Sequence, residues 1–159
     1  MNIKALHSSK SNEWETPQWL FDKLNEEFNF TLDPCTTKEM AKCKKYYTQV
    51  EDGLIQDWSK DIVFMNPPYG KDISKWITKA LSSSIKGATV VCLIPARTDT
   101  NWFQYCWKAD YLYSIKGRVK FLQEGKSVGS ATFPSVIVVW NHKDNFKLNF
   151  DGHLVKLWE

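Results

Sequence analysis

The residues best suited to chemistry are four consecutive ones, Asn66-Pro67-Pro68-Tyr69, which follow the apolar run of residues 62–65. The two prolines remove two backbone donors and fix two φ angles, so the loop holds its carbonyl groups nearly rigid. The Asn66 amide oxygen and the Pro67 carbonyl are then fixed hydrogen-bond acceptors, and Tyr69 adds a flat aromatic face. Two acceptors beside a stacking face suit a planar amine as the substrate.

The nitrogen of a planar amine is a poor nucleophile because its lone pair is delocalised into the adjoining π system. Acceptors placed where its N–H groups point as it becomes pyramidal bind the transition state better than the ground state. A stacking ring holds the flat substrate face-on, as in enzymes that flip a base out of a duplex. The alternative is an ordinary strand-to-helix turn, because proline and glycine are common there.

The loop lies inside a predicted strand–helix–strand unit. Residues 62–65 form a short apolar strand, residues 72–85 repeat apolar side chains at helical spacing, and residues 89–94 form a second apolar strand. Strands buried on both faces read as continuous apolar runs, so we expect a parallel sheet, at whose carboxyl ends ligands bind. Three notable clusters fall at such ends: Asp33-Pro34-Cys35, Asn66 to Tyr69, and Pro95-Ala96-Arg97.

The other elements are predicted from local patterns. We expect a helix capped by Thr16 with Pro17 as its first residue. Its apolar face is expected to be Trp19, Leu20, Leu24 and Phe28. Further strands are expected over residues 28–33, 111–115, 119–122 and 135–140, helices over 38–47 and 101–108, and a terminal hairpin from 146–150 and 154–158. The result is an α/β fold with a mostly parallel sheet and an antiparallel C-terminal edge.

Composition bounds the class of protein. The 159 residues suit one domain, residues 13–159, after a polar and patternless arm, residues 1–12, which we expect to be flexible. No segment has the apolar length of a membrane span, and without a secretory signal we expect a cytoplasmic protein with reduced cysteines. The net charge of +3 permits a polyanionic partner without demanding one. Cysteines and histidines lack the spacing of a zinc site, so no metal is expected.

Several segments resemble the phage-encoded DNA adenine methyltransferases of the Dam type, which are S-adenosylmethionine-dependent amino-methyltransferases. The segments are Glu15-Thr16-Pro17, Leu32-Asp33-Pro34-Cys35, Asp52-Gly53-Leu54 with Asp57-Trp58, Asn66-Pro67-Pro68-Tyr69, and Pro95-Ala96-Arg97-Thr98. The resemblance extends from about residue 12 to residue 140. It implies a Rossmann-like methyltransferase fold, S-adenosylmethionine as the cofactor, and the N6 amine of adenine in DNA as the target, in the cytoplasm of a bacterial host.

The resemblance also implies which residues bind the methionine part of the cofactor. Asp33 would bind the ammonium group through a charge-assisted hydrogen bond, with Pro34 and Cys35 beside the cofactor. Thr16 and Pro17 would close over the methionine end. Many methyltransferases have a glycine-rich turn after the first strand, and residues 33–37 contain no glycine.

The adenine and ribose of the cofactor need other partners. The resemblance implies that Asp57 accepts a hydrogen bond from the adenine amino group and that Trp58 stacks on the adenine face. Ribose commonly pairs with an acidic residue after the second strand. Glu51 and Asp52 are both candidates, and the sequence does not choose between them.

The same resemblance gives roles at the substrate end. Asn66 Oδ1 and the Pro67 carbonyl would accept the two N–H bonds of the target amine, Pro68 would stiffen the loop, and Tyr69 would stack on the base. Exposed cations are expected to contact DNA phosphates: Arg97, Lys116, Arg118 and Lys120. The length leaves no room for a separate target-recognition domain, and the protein is expected to act as a monomer or a homodimer.

Two alternatives stay open. The same loop could serve the N4 amine of cytosine, a guanine amine in RNA, or a glutamine amide in a protein. The second alternative is a non-catalytic nucleic-acid-binding module of the same fold. Such a module would not need the intact loop from Asn66 to Tyr69.

Overall fold

The computed structural model describes residues 13–158 and contains a seven-stranded sheet and a separate two-stranded hairpin. Helices α1 and α2 span Gln18–Phe28 and Ile73–Ile85, and 3-10 helices cover Gly53–Ile55 and Trp102–Lys108. The strands are β1 Leu32–Asp33, β2 Lys45–Tyr46, β3 Ile62–Met65, β4 Thr89–Pro95, β5 Tyr111–Ile115, β6 Leu122–Gln123, β7 Lys126–Ser127, β8 Ser135–Trp140 and β9 Gly152–Lys156. The predicted flexible arm, residues 1–12, lies outside the described residues.

The large sheet has the strand order β2-β1-β3-β4-β8-β5-β9. Strands β2, β1, β3 and β4 are parallel, whereas β8 runs antiparallel between β4 and β5, and β9 runs antiparallel to β5 at the edge. Because β8 opposes both of its neighbours, β5 points in the same direction as β4. The mostly parallel α/β sheet is therefore confirmed. Its antiparallel part is not confined to the edge, because β8 is buried at every position inside the sheet.

The unit β3–α2–β4 is the one predicted from the apolar runs. Helix α2 buries Ile73, Trp76, Ile77 and Ala80 at helical spacing. Strand β4 pairs with β3 on one side and with β8 on the other, which explains why its apolar run is continuous. Gly87 has a φ of 120° just after the helix, a conformation that favours glycine.

Helix α1 begins later than predicted. Its N-cap is Pro17, and no side chain caps the helix, so the prediction of Thr16 as the cap was wrong. The hydroxyl of Thr16 instead contacts Asn66. Trp19 is half exposed, whereas Leu20, Phe21, Leu24 and Phe28 form the buried face. Phe21, and not Trp19, therefore lies on the core side of the helix.

The predicted helix over residues 38–47 is absent from the structure, which has turns there followed by the short strand β2. The backbone of this segment is committed to the end of β1. The N–H of Lys42 donates to the Asp33 carboxylate, and the N–H of Tyr47 donates to the Asp33 carbonyl. In a helix these two N–H groups would instead donate to the carbonyl groups four residues earlier in the chain.

Three predicted strands are shorter or differently placed. Strand β1 has only Leu32 and Asp33, because α1 continues through Phe28. Residues 119–121 are irregular, and only Leu122 of that prediction lies in a strand. Residues 146–150 form no strand, since Phe146 packs inward against Phe28 and Tyr111. Strand β9 therefore pairs with β5 and not in a terminal hairpin.

Other predictions concern single features. The helix predicted over residues 101–108 is present as a 3-10 helix, and Cys92 is buried within β4 as predicted. The four cysteines are free thiols. Within the described residues, no helix is long and apolar enough to cross a membrane. Over the same part of the chain, no three His, Cys, Asp or Glu side chains are grouped closely enough to hold a metal ion.

Candidate active site

A cavity of about 410 Å³ opens at the carboxyl ends of β1 and β3. Its wall contains residues 33–35 after β1 and both Asn66 and Pro68 after β3, so two of the three predicted clusters meet here. The third cluster, residues 95–97, is not part of this wall. The wall is completed by residues 13–16, by Thr36, Thr37, Lys38, Met40 and Lys42, by Thr48, Gln49, Val50, Asp52 and Gly53, and by Phe64 and Trp76. This volume is typical of a site for a small molecule or cofactor.

Asp33 is the buried acid of the cavity, with only 4% of its surface exposed. Burial raises the pKa of its carboxyl group from 3.8 to about 6, although hydrogen bonds from the backbone N–H groups of Lys42 and Cys35 oppose that rise. Of the ion pairs found between residues 13 and 158, none involves Asp33. A buried carboxylate facing a cavity without a paired cation suits a ligand that carries an ammonium group.

Asn66 presents an acceptor that nothing in residues 13–158 uses. Its Nδ2 donates to the Trp14 carbonyl and, at 2.9 Å, to Thr16 Oγ1. Its Oδ1 is buried and has no hydrogen-bond partner among the described residues. The thiol of Cys35 donates to the Asn66 backbone carbonyl at 3.4 Å, which joins the turn after β1 to the loop after β3. Buried acceptors are normally satisfied, so Oδ1 is a candidate contact for a ligand donor.

Tyr69 does not offer an open stacking face in this structure. Its side chain is 7% exposed, and its hydroxyl donates to the Leu93 carbonyl at 3.0 Å. Phe121 and Phe133 contact the ring edge-on at centroid distances of 6.1 and 5.7 Å. Burial raises the pKa of the Tyr69 hydroxyl well above its usual value. A base can stack on this ring only after part of the surrounding aromatic cluster moves.

Residues 13–16, which we call the entry segment, lie across the end of β3. Glu15 and Leu122 exchange two backbone hydrogen bonds of 2.9 Å, and the N–H of Gly125 donates to the Glu15 carboxylate. The Trp14 ring contacts Phe121 and Phe133 edge-on at 5.8 and 5.7 Å. The entry segment thus joins the β6–β7 hairpin to the cavity. Sequence reasoning missed this aromatic cluster, because no spacing pattern links residues so far apart.

Asp57 and Trp58, the residues expected to bind the cofactor adenine, do not lie on the cavity wall. Asp57 is exposed and accepts from the N–H of Ser59 at 2.9 Å, and that bond lowers the pKa of its carboxyl group. Trp58 is 1% exposed, so neither face of its ring is free for a ligand. Its Nε1 donates to the Gly53 carbonyl at 3.0 Å and its ring stacks on Trp76. Trp58 therefore supports two wall residues and does not itself face the cavity.

The structure distinguishes the two acidic candidates left open for ribose. Asp52 lines the cavity, with a φ of 54°, and its Oδ1 accepts from the N–H of Leu54. Glu51 is exposed, lies outside the wall, and accepts from the N–H and hydroxyl of Thr48. Asp52 is therefore the acidic residue of this pair that is positioned for a ligand in the cavity.

The four cations predicted to contact DNA are all exposed and lie outside the cavity wall. The guanidinium of Arg97 lies over the Phe133 ring, 5.9 Å from its centroid. Because Phe133 also contacts Tyr69, Arg97 is close to the proposed substrate end of the site. The other three, Lys116, Arg118 and Lys120, lie between β5 and β6.

The parallel strands, the inserted antiparallel strand β8 and the loop after β3 define a Rossmann-like methyltransferase fold. Residues 4–150 match the family model for DNA N-6-adenine-methyltransferase (Dam). The chain belongs to this family, which confirms the resemblance noted from its motifs.

Two curated relatives carry the name DNA N-6-adenine-methyltransferase. The protein of Haemophilus phage HP1 (strain HP1c1) is 29% identical over 142 residues, which are 85% of this chain and 82% of the relative. The protein of Escherichia phage T1 is 29% identical over 147 residues, which are 79% of this chain and 61% of the relative. This chain therefore spans most of the first relative and about three fifths of the second.

We expect Gly53→Ala to damage the cavity wall. An added Cβ would lie 2.0 Å from the Pro34 carbonyl oxygen. The positions of both atoms are fixed by the backbone, so the turn after β1 has to shift. The expected result is a loss of about 1–3 kcal/mol in the free energy of unfolding, measured in urea. Affinity for S-adenosylmethionine, measured by calorimetry, should fall with it.

Gly129→Ala is the control for that prediction. Gly129 has a φ of 83°, so alanine is strained there too, but no atom lies within 4 Å of the added Cβ. This variant should lose stability and keep its affinity for S-adenosylmethionine. If both variants lost affinity for S-adenosylmethionine equally, the loss in Gly53→Ala could not be assigned to a local change in the cavity wall.

Proposed function

We propose that this protein transfers a methyl group from S-adenosylmethionine to the exocyclic N6 of adenine in DNA. The family match over residues 4–150 supports the reaction and the substrate. The structural observation that carries the proposal is the buried, unpartnered Oδ1 of Asn66 at the end of β3. A neutral acceptor held in a buried loop suits the N–H groups of a flat amine.

The residues of the cavity fit the cofactor. S-adenosylmethionine supplies an electrophilic methyl group carried on a sulfonium. The Asp33 carboxylate would bind the ammonium group, and Asp52 would bind the ribose hydroxyls. The apolar side chains of Val50 and Trp76, both on the wall, would face the adenine. Val50 and Trp76 are thus proposed to contact the adenine in place of Asp57 and Trp58.

The remaining cofactor contacts come from residues around Asp33. Pro34 and Cys35 lie on the wall and would be beside the cofactor, whereas Thr16, also on the wall, bonds Asn66 through its hydroxyl. Pro17 is buried directly behind Thr16 and fixes the direction of the chain as it enters α1.

Catalysis would rest on orientation and electrostatics. Asn66 Oδ1 and the Pro67 carbonyl accept the two N–H bonds of the amine and hold its lone pair out of the plane of the base. A neutral amide is not a general base, and none is needed, because the methylated amine is strongly acidic and releases its proton to water. Pro68 keeps the loop rigid, and Tyr69 meets the base once Trp14 and its aromatic neighbours open.

DNA binding would use the exposed cations near the site. Arg97 is the best placed of them, because it lies over Phe133 beside Tyr69. Lys116, Arg118 and Lys120 would extend the contact to further phosphates, which makes affinity fall as salt rises. The chain would act as one methyltransferase domain, monomeric or homodimeric, in the cytoplasm of a bacterial host.

Nucleoside analysis tests the proposed function. Purified protein, labelled S-adenosylmethionine and unmethylated DNA are incubated, and the DNA is digested to nucleosides. We expect labelled N6-methyladenine as the product. Labelled N4-methylcytosine, or labelling only of RNA or of protein, would overturn the substrate. DNA binding by folded protein without any methyl transfer would support the binding-module alternative and overturn the enzyme.

A further inference from the structure

We propose that Thr16 is a positioning residue for Asn66, a role that rests on the proposed function. The hydroxyl of Thr16 accepts one N–H of the Asn66 amide at 2.9 Å, and the Trp14 carbonyl accepts from the same nitrogen. A carbonyl can only accept, so the nitrogen end of the amide must face the entry segment. The oxygen end is then the part of the amide that is left to meet the substrate.

The second acceptor has a specific purpose. The outer torsion of an asparagine side chain is broad, so one hydrogen bond leaves the amide free to rock. With both N–H groups of Asn66 engaged, the side chain presents only an acceptor to the site. An amine substrate needs an acceptor and is repelled by a donor, so this arrangement favours the productive orientation of Oδ1.

The Thr16 hydroxyl has no role in capping a helix. It does not cap α1, whose N-cap is Pro17. Thr16 is 2% exposed, so water does not readily replace its contact with Asn66. A buried donor left without an acceptor is costly, so removal of the hydroxyl should disturb the orientation of the Asn66 amide. The competing role is direct contact with the cofactor, since Thr16 also lines the cavity.

Steady-state kinetics of Thr16→Val and Thr16→Ser separate the two roles. Valine keeps the shape and removes the hydroxyl, so kcat should fall about 10- to 100-fold through misorientation of Asn66. The dissociation constant for S-adenosylmethionine, measured by calorimetry, should stay within about 2-fold, because Asn66 acts on the amine. Serine restores the hydroxyl and should recover most of kcat.

Thr89→Val is the matched control. The Thr89 hydroxyl donates to the Asn141 carbonyl at 3.0 Å at the start of β4, the opposite end of the sheet from the site. This variant loses a comparable hydrogen bond and should keep wild-type kcat. Thermal melts of all variants establish that each one is folded.

Two results would overturn the positioning role. One is a higher dissociation constant for S-adenosylmethionine in Thr16→Val with kcat unchanged, which assigns Thr16 to the cofactor. The other is an additive effect. In an Asn66→Ala background, removal of the Thr16 hydroxyl should cause no further loss of kcat, so a further loss there would contradict the positioning role.

A spectroscopic readout keeps this proposal separate from the proposed function. In protein labelled with ¹⁵N, the Asn66 side-chain amide signal is assigned by its loss in Asn66→Ala. Thr16→Val should shift that signal and speed its proton exchange, and Thr89→Val should leave it in place. An unmoved signal in Thr16→Val would refute the positioning role whatever the substrate. Failure to form N6-methyladenine refutes the proposed function alone.

Discussion

Asn66→Ala is expected to lower kcat by about 1000-fold, the effect of removing an acceptor that acts mainly in the transition state. The dissociation constant for S-adenosylmethionine should change by less than about 2-fold, because the proposed role of Oδ1 is to contact the amine and not the cofactor. Some stability should be lost, because the Trp14 carbonyl and the Thr16 hydroxyl lose the donor Nδ2, so a thermal melt must show that the variant is folded. Calorimetry and single-turnover methylation of DNA measure the two effects separately.

Asn25→Ala is the control for this substitution. Asn25 Oδ1 accepts from the N–H of Phe30 at 2.8 Å beyond the end of α1, so its loss should lower stability and leave kcat unchanged. Loss of cofactor binding in Asn66→Ala would mean that Asn66 belongs to the cofactor site. An unchanged kcat in Asn66→Ala would show that the Asn66 side chain takes no part in the methyl transfer.

Asp33→Asn is expected to weaken S-adenosylmethionine binding by about 100-fold, because a buried charge-assisted hydrogen bond to an ammonium group is lost. The same change should stabilise the ligand-free protein at pH 7. Burial raises the pKa of the Asp33 carboxyl from 3.8 to about 6, so the folded chain holds that proton more tightly than the unfolded chain does. Stability from this group is full below pH 3.8, falls as the pH rises to about 6, and stays low above that.

The gain in Asp33→Asn should be about 1 kcal/mol at pH 7. The raised pKa sets an upper bound of roughly 3 kcal/mol, and the new NH₂ group offsets part of it by facing backbone donors. Urea unfolding at pH 7 and pH 4 measures the effect, which should shrink at pH 4. In the wild type, cofactor affinity should weaken as the pH falls below about 6, where Asp33 takes up its proton.

Asp61→Asn is the matched control with the opposite sign. Asp61 is also buried, but it forms an ion pair of 2.6 Å with Lys45 and accepts from the Thr31 hydroxyl. Its neutralisation should therefore destabilise the protein while leaving cofactor affinity unchanged. A loss of stability in Asp33→Asn at pH 7 would contradict the view that Asp33 is kept for ligand binding at the expense of the fold.

The parts of the fold that could be predicted are those with continuous local patterns. The β3–α2–β4 unit combines two apolar runs with a helical repeat, and its predicted bounds agree with the structure to within one residue. Strands β1 and β2 have two residues each, too short for a periodic signal. Their pairing depends on the Asp33 carboxylate and carbonyl, a contact that no spacing in the sequence reveals.

The site could be predicted where residue type and position agree. Asp33 ends β1 and Asn66 follows β3, each carries the group that the chemistry needs, and both lie on the cavity wall. The adenine-binding roles of Asp57 and Trp58 were assigned by resemblance, and neither residue lies on the cavity wall, which contains Val50 and Trp76. The contact between Thr16 and Asn66 could not be predicted, because it joins residues 50 apart through a turn whose geometry only the fold determines.

Strand β8 has a consequence for synthesis of the chain. It is made after both β4 and β5 but fills the space between them, so each of these strands has an unpaired edge until β8 is added. Those edges belong to apolar, buried strands, which readily pair with other chains when exposed. A nascent chain that stops before Ser135 therefore has no complete sheet and is prone to aggregate, although the loop after β3 has already been made.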